Sequence, residues 1–152
     1  MKIWIDADAC PKMIKEFLFK ACHRLKVPTI LVANRSMFVP RSALVSMVVV
    51  GKGMDEADHH ILEHCSENDL VVTADIPLAA ALVDKGIVAL NPRGRVYTTD
   101  NVKEDLATRD LMQELREGGL LQGGPPPLGQ ADKEKFANAF DREMTRLQRL
   151  GI

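Results

Sequence analysis

The sequence has few cysteines and no pair of them at the spacing of a redox or zinc motif. Its 152 residues include three cysteines, Cys10, Cys22 and Cys65. An odd number without C-x-x-C spacing argues against a secreted disulfide scaffold and against a structural zinc site. A chain of this length can bury enough apolar surface to fold without such cross-links. We therefore expect a single domain over residues 1–152.

The sequence also lacks an excess charge of one sign and a long apolar run. It has 20 Lys and Arg against 21 Asp and Glu, which leaves a net charge of −1. No global positive field draws such a chain to nucleic acid, so that contact would need a local patch or a metal ion. No run approaches the ~18 apolar residues of a membrane helix, and the first residues lack the apolar region of a signal peptide. The sequence predicts a cytoplasmic protein without membrane contact.

Five short apolar runs, separated by helical patterns, predict the fold class. The runs cover residues 3–5, 29–33, 47–50, 70–73 and 87–90, and helical patterns include one after Pro11, one over 54–67 and one after Pro77. Because the runs are apolar throughout instead of alternating, both faces of each strand are expected to be buried. We predict an α/β fold, a three-layer α/β/α arrangement with a central, mostly parallel sheet of four to five strands.

Two further helices are predicted towards the end of the chain, over about 102–118 and 131–149. A connector rich in glycine and proline, 118–130, lies between them and cannot be helix or strand. One stripe of the last helix is apolar, which predicts packing against the core or against a second subunit. Either a monomer or a homodimer is consistent with this pattern. The stripe consists of Phe136, Phe140, Met144 and Leu147.

Acidic side chains follow three of the five predicted strands. Asp6 and Asp8 come after the first, Asp55 and Asp58 after the third, and Asp75 after the fourth. The carboxyl ends of parallel strands meet at one edge of a sheet, where ligands bind, so we expect these acids to lie close together. Gathered carboxylates repel one another, and this repulsion is relieved by protonating some of them or by binding a cation. Oxygen ligands suit Mg²⁺ or Mn²⁺, and the five aspartates are therefore the predicted metal ligands.

Each aspartate also has a simpler interpretation. Asp8, Asp55 and Asp75 precede predicted helices, and an aspartate in that position is commonly an N-cap. Their recurrence at three strand ends favours the acidic cluster over three separate caps. Polar residues that follow the other two strands, Asn34, Arg35 and Arg93, are candidate contacts to substrate phosphates.

Two other groups of reactive side chains receive a structural interpretation. His60 and His64 are four residues apart on a predicted helix, as in zinc pairs, but the H-E-x-x-H order is absent, so a solvated helix face that includes His59 is favoured. Cys10 stands near a helix start, where a thiol pKa can be lowered. The arginine that a cysteine phosphatase loop needs six residues later is replaced by Glu16, which favours an unreactive thiol.

Several of these segments closely resemble the bacterial YaiI/YqxD family. The runs that carry the resemblance are Ile5-Asp6-Ala7-Asp8-Ala9-Cys10-Pro11, Val72-Thr73-Ala74-Asp75-Ile76-Pro77-Leu78-Ala79, Asn91-Pro92-Arg93-Gly94 and Gly53-Met54-Asp55-Glu56-Ala57-Asp58. The Gly-Pro-Pro-Pro connector ahead of Asp141-Arg142 also matches the pattern. The resemblance extends over nearly the whole chain.

That family looks related to the PIN-like nucleases, which carry an acidic cluster for Mg²⁺ or Mn²⁺ at the carboxyl edge of a parallel sheet. The resemblance implies that Asp6 is the first-strand acid, Asp55 and Asp58 the helix-start acids, and Asp75 the fourth-strand acid. Thr73 matches the small hydroxyl residue that often precedes the last acid, and it is a candidate substrate contact. Asp8 and Cys10 are additions to the usual nuclease pattern, which also has an isolated glutamate that this chain does not obviously supply.

The leading functional hypothesis is a metal-dependent nuclease that acts on RNA or single-stranded nucleic acid. In it Asp6, Asp8 and Asp75 are catalytic, and all five aspartates hold Mg²⁺ or Mn²⁺. A phosphatase of the haloacid-dehalogenase type is one alternative, with Asp6 as nucleophile and Asp8 as general acid. A module that binds nucleic acid or protein without catalysis is the other. Shared architecture is only an analogy for activity.

Overall fold

The apolar runs form five parallel strands at the centre of the fold. The computed structural model describes residues 1–53, 55–120 and 126–150. Each neighbouring pair of strands within them is parallel, and the order across the sheet is β3-β2-β1-β4-β5. The predicted α/β fold with a parallel sheet is therefore confirmed. The strands are β1 (Ile3–Asp6), β2 (Thr29–Ala33), β3 (Val45–Val49), β4 (Leu70–Val72) and β5 (Val88–Leu90).

Helices cover both faces of this sheet and give the predicted three layers. Side chains of α1 and α5 share one apolar core with the sheet, and side chains of α2, α3 and α4 share the other. None of the helices in the described ranges combines the length and the apolar character needed to cross a bilayer. The helices are α1 (Lys12–Leu25), α2 (Glu56–His64), α3 (Ile76–Asp84), α4 (Thr99–Glu117) and α5 (Gln130–Leu150), and a short 3₁₀ turn, Ala7–Ala9, follows β1.

Successive residues of each strand contribute to opposite cores. In β1, Ile3 and Ile5 belong to the core beneath α1 and α5, whereas Trp4 belongs to the core beneath α2, α3 and α4. The side chains of a strand alternate between the two faces of the sheet. Helices cover both faces here, so apolar residues occupy most positions of the central strands, which explains the continuous apolar runs in the sequence.

Helix α2 is shorter than the predicted 54–67. Asp55 has a left-handed backbone with φ of 64°, which places it outside the helix. At the other end, Cys65 is extended, and the backbone N–H of Ser66 donates to Asp69 Oδ2 at 2.9 Å. The chain turns there towards β4, so the predicted inward residue Cys65 lies just beyond the helix.

Helix α4 begins three residues before the predicted start at 102. The hydroxyl of Thr98 accepts a hydrogen bond from the backbone N–H of Asn101, and the Asn101 amide oxygen accepts one from the N–H of Thr98. This reciprocal cap fixes the start of the helix. Helix α5 differs from the predicted 131–149 by one residue at each end. Residues 121–125 of the predicted connector 118–130 lie outside the described residues.

Helix α5 packs its apolar stripe against the same chain, so the core alternative of its prediction is confirmed. The ring of Phe17 on α1 meets those of Phe136 and Phe140 edge to face, with centroids 5.7 and 5.6 Å apart. Phe136 and Phe140 are fully buried. These aromatic contacts join α5 to α1 on one side of the sheet.

Replacing Phe140 by alanine is expected to lower the free energy of unfolding by about 3–5 kcal/mol, because a buried ring is lost and a cavity remains. Urea titration followed by circular dichroism measures this change. Leu111→Ala on α4 is the control, since Leu111 is 54% exposed, and its expected effect is below about 0.5 kcal/mol. Equal losses in the two variants would show that α5 does not depend on this packing.

Candidate metal centre

The carboxyl ends of β1 and β4 meet where the order of the strands reverses. The chain proceeds outward from β1 through β2 to β3 and then returns to place β4 on the other side of β1. In open parallel sheets the crevice at such a switch point is where ligands bind. Asp6 is the last residue of β1, and Thr73 and Asp75 follow the last residue of β4.

The side chain of Thr73 connects these two strand ends. Its hydroxyl donates a hydrogen bond to Asp6 Oδ2 at 2.8 Å and accepts one from the backbone N–H of Asp75 at 2.9 Å. Thr73 and Asp6 are only 1% and 7% exposed. The hydroxyl therefore fixes the Asp6 carboxylate and the backbone of Asp75 relative to each other.

Asp75 has a second structural role as the N-cap of α3. Its Oδ1 accepts a hydrogen bond from the backbone N–H of Leu78 at 2.9 Å. The simpler interpretation as a cap is thus correct for Asp75. It is wrong for Asp8, because Pro11 occupies the N-cap position of α1. Asp55 does occupy the N-cap position of α2, but its side chain makes no capping bond.

Three of the predicted acids approach one another closely. Asp55, Asp58 and Asp75 each offer a carboxylate oxygen, and these oxygens all lie within 4.8 Å of one another. Asp58 lies in the first turn of α2, and its carboxylate faces that of Asp75. Asp55 contributes from a left-handed backbone conformation that few residues other than glycine adopt, although aspartate tolerates it better than most.

An open pocket of about 300 Å³ surrounds this group. All five predicted aspartates line it, together with Asn34. Sequence reasoning missed Glu56, which also lines the pocket from the first turn of α2. Its position next to Asp55 was the available signal. The polar lining is Asp6, Asp8, Asn34, Asp55, Glu56, Asp58 and Asp75.

Asp8 and Asn34 join the ends of β1 and β2 at the rim of this pocket. The backbone N–H of Asn34 donates to Asp8 Oδ2 at 2.8 Å. Both residues are exposed. The bond holds the turn after β1 against the start of the loop after β2. Arg35, the next residue along, is exposed and does not line the pocket.

Burial and repulsion raise the pKa of two of these carboxyl groups, Asp58 and Asp6. Burial and then the charges of Asp75, Asp6 and Asp55 raise the pKa of Asp58 to about 7. The pKa of Asp6 is also raised, mainly by burial and further by Asp75 and Asp8, although the hydrogen bond from Thr73 opposes this shift. The pocket therefore concentrates more negative charge than it can carry fully ionised at neutral pH without compensation.

Arg93 does not line the acidic pocket, and its guanidinium group is paired with other residues. Its guanidinium group donates to Asp132 of α5 at 3.0 Å and to the carbonyl oxygen of Pro126. The next residue, Gly94, has φ of 95°, and a Cβ there would lie 2.7 Å from the Lys135 carbonyl carbon. The Asn-Pro-Arg-Gly segment thus allows α5 to approach the sheet edge closely, and the predicted phosphate contact of Arg93 stays a prediction.

The remaining reactive side chains follow the structural interpretation. His59 and His64 are exposed, and the half-buried His60 ring packs against Trp4 with centroids 6.2 Å apart. Cys10 is 6% exposed. Burial raises the pKa of its thiol to about 12, so it is not a thiolate nucleophile at neutral pH.

Fold and site together define an α/β domain with an acidic pocket at the switch point of a parallel sheet. The chain matches the model described as "Uncharacterized BCR, YaiI/YqxD family" over residues 4–146, and it belongs to this family. The resemblance seen in the sequence is confirmed at this level. No solved structure matches the chain.

Close relatives align with nearly the whole chain. A UPF0178 protein of Geobacter metallireducens is 56% identical over 149 residues, which cover 98% of this chain and 96% of the relative. UPF0178 proteins of Hydrogenovibrio crunogenus and Myxococcus xanthus are each 53% identical, covering 98% and 97% of this chain and 99% and 96% of the relatives. The names of these relatives specify no activity.

The raised pKa of Asp58 predicts a pH-dependent stability. Folding strengthens proton binding at this group, so its contribution to stability decreases as the pH rises from the ordinary value of 3.8 towards about 7, and is then constant. Asp58→Asn is therefore expected to raise the free energy of unfolding by about 1–2 kcal/mol at pH 8, after allowance for solvent screening. The gain is expected to vanish below pH 3.8.

Urea titrations in EDTA between pH 3.5 and 8 measure this difference. The matched control is Asp84→Asn, an exposed position at the other end of α3, whose difference from the wild type is expected to stay flat. A flat difference for Asp58→Asn as well would contradict the repulsion described for the pocket.

Proposed function

We propose that this protein is a metal-dependent phosphodiesterase that cleaves RNA or single-stranded nucleic acid. The observation that carries the proposal is the convergence of Asp55, Asp58 and Asp75 within 4.8 Å, beside the buried Asp6 at the switch point of the sheet. The pattern of acids in the PIN-like nucleases supports it by analogy, since Asp6, Asp55, Asp58 and Asp75 match that pattern.

The chemistry of the donor set fits Mg²⁺ or Mn²⁺. Among the described residues, the side chains that line the pocket offer carboxylate and amide oxygens and no imidazole or thiol. Such oxygen ligands suit hard divalent cations and disfavour zinc. A cation would also relieve the repulsion that raises the pKa of Asp58, so cation binding and proton release are expected to be coupled.

Each acid has a distinct role in this proposal. Asp55, Asp58 and Asp75, whose carboxylate oxygens lie within 4.8 Å of one another, would hold the principal ion, and Asp6 would hold a second ion or orient water. A bound divalent cation supplies charge stabilisation to the phosphodiester and lowers the pKa of water. The chain's own contribution is positioning: Thr73 orients Asp6, the cap to Leu78 orients Asp75, and Asp8 fixes the loop after β2.

The haloacid-dehalogenase alternative receives less support. Its nucleophile would be Asp6, but this carboxyl group is 7% exposed and accepts the Thr73 hydroxyl. Its general acid would be Asp8, whose Oδ2 accepts the backbone N–H of Asn34. An attacking carboxylate must reach the phosphorus atom directly, and the enclosure of Asp6 opposes such an approach.

Purified protein is expected to cleave 5′-labelled single-stranded RNA in Mn²⁺, and Asp75→Asn is expected to reduce the rate by about 100-fold or more. Asparagine caps helices as well as aspartate does, so the variant keeps the start of α3. Asp84→Asn removes the same charge from the other end of α3 and is expected to retain the wild-type rate. Denaturing gel electrophoresis measures the products.

Two outcomes would contradict the proposal. Equal cleavage by wild type and Asp75→Asn would place the activity outside the acidic pocket. No cleavage of single-stranded RNA, single-stranded DNA or a duplex by protein that binds Mn²⁺ would favour the non-catalytic binding module instead.

A further inference from the structure

A groove between the start of α3 and the outer face of α4 leads away from the acidic pocket. It has a volume of about 460 Å³. Ala74 and Asp75 line both the groove and the acidic pocket, so the two depressions are continuous at the proposed site. The α4 wall of the groove includes Asp105, Thr108, Arg109, Met112 and Arg116.

Arg109 and Arg116 give this wall its positive charge. They are seven residues apart, so they lie on one face of α4, two turns and about 10.5 Å from each other. Asp105 does not cancel their charge, because Arg95 holds its two carboxylate oxygens at 2.8 and 2.9 Å. The exposed contact of Arg109 to its neighbour Asp110, at 3.4 Å, is of the kind that contributes little.

Apolar atoms lie between the charged groups of the groove. Met112 is 36% exposed and, one turn from either arginine, lies between Arg109 and Arg116 on the α4 wall. Ile76 lines the facing wall at the start of α3. The groove therefore offers two guanidinium groups for anions and an apolar surface between them for a ribose or a base.

We propose that this groove binds the sugar-phosphate backbone of a single nucleic-acid strand, with Arg109 and Arg116 contacting separate phosphates on one side of the acidic pocket. The inference rests on the proposed function and specifies its substrate as a strand several nucleotides long. It supplies the local positive patch that a chain with a net charge of −1 needs for such a ligand. Guanidinium groups are suited to phosphate because they donate paired hydrogen bonds.

Binding of a 5′-fluorescein-labelled 12-nucleotide RNA, measured by fluorescence anisotropy, tests the groove. All proteins carry Asp75→Asn, so that turnover does not interfere, and Mg²⁺ is held constant. The double substitution Arg109→Gln with Arg116→Gln is expected to weaken binding about tenfold. It is also expected to reduce the slope of log K against log salt by about 1.4, because each single-strand phosphate contact contributes about 0.7.

The matched control is Arg142→Gln with Arg149→Gln on α5. These two arginines are also exposed and seven residues apart on one helix. They lie towards the opposite edge of the sheet, where Asp141 contacts Arg24 at the end of α1. The control is expected to bind within twofold of the parent with the same salt slope. An unchanged α4 variant, or an equal loss in the α5 variant, would overturn the proposal.

Cleavage assays with proteins that keep the wild-type Asp75 separate this inference from the proposed function. The α4 double variant is expected to raise KM for the 12-nucleotide RNA, because contacts to the substrate phosphates are lost. Cleavage with no change in KM would contradict the proposed role of the groove and would leave the proposed nuclease activity standing. If the wild type does not cleave RNA but binding still depends on the two arginines, the nuclease proposal would be contradicted and the binding role of the groove would stand.

Discussion

The hydrogen bond from the Thr73 hydroxyl to the Asp6 carboxylate is the contact on which the acidic pocket depends. It joins the ends of β1 and β4 where the strand order reverses. The Thr73 hydroxyl oxygen also accepts a hydrogen bond from the backbone N–H of Asp75. Asp75 in turn caps α3, and one of its carboxylate oxygens lies within 4.8 Å of those of Asp55 and Asp58. One hydroxyl group therefore links the central strands to the acids that surround the pocket.

The environment of Asp6 differs from that of a second buried aspartate, Asp69. Asp69, at the opposite edge of the sheet, is 3% exposed and accepts hydrogen bonds from the N–H groups of Lys2, Trp4 and Ser66 at 2.9–3.0 Å. Both oxygens of that carboxylate accept hydrogen bonds, which connect the start of β1 to the loop before β4. Asp6 accepts one side-chain hydrogen bond among the described residues, and burial, followed by the charges of Asp75 and Asp8, raises its pKa. The first carboxylate is satisfied by three N–H donors, whereas the second has only the Thr73 hydroxyl among the described side chains.

The sheet and the position of its acids were predictable because both follow from local patterns. Continuous apolar runs indicate strands buried on both faces, and parallel strands bring their carboxyl ends to one edge. What the sequence did not reveal depends on contacts between distant segments. The backbone bond from Asn34 to Asp8, the pairing of Arg93 with α5 and the groove beside Arg116 are all of this kind. The left-handed backbone at Asp55 makes α2 begin later than predicted, and because this residue is not glycine the sequence did not indicate that conformation.

The central claim is that the acidic pocket binds a divalent cation, and paramagnetic broadening by Mn²⁺ tests it most directly. In nuclear magnetic resonance spectra of the ¹⁵N-labelled protein, substoichiometric Mn²⁺ is expected to remove the amide signals of Asp6, Asp58, Ala74 and Asp75 first. The amide signals of Lys2 and Asp69, at the opposite edge of the sheet, are expected to persist. Uniform broadening, or a loss of signals centred away from the β1 and β4 ends, would contradict the account.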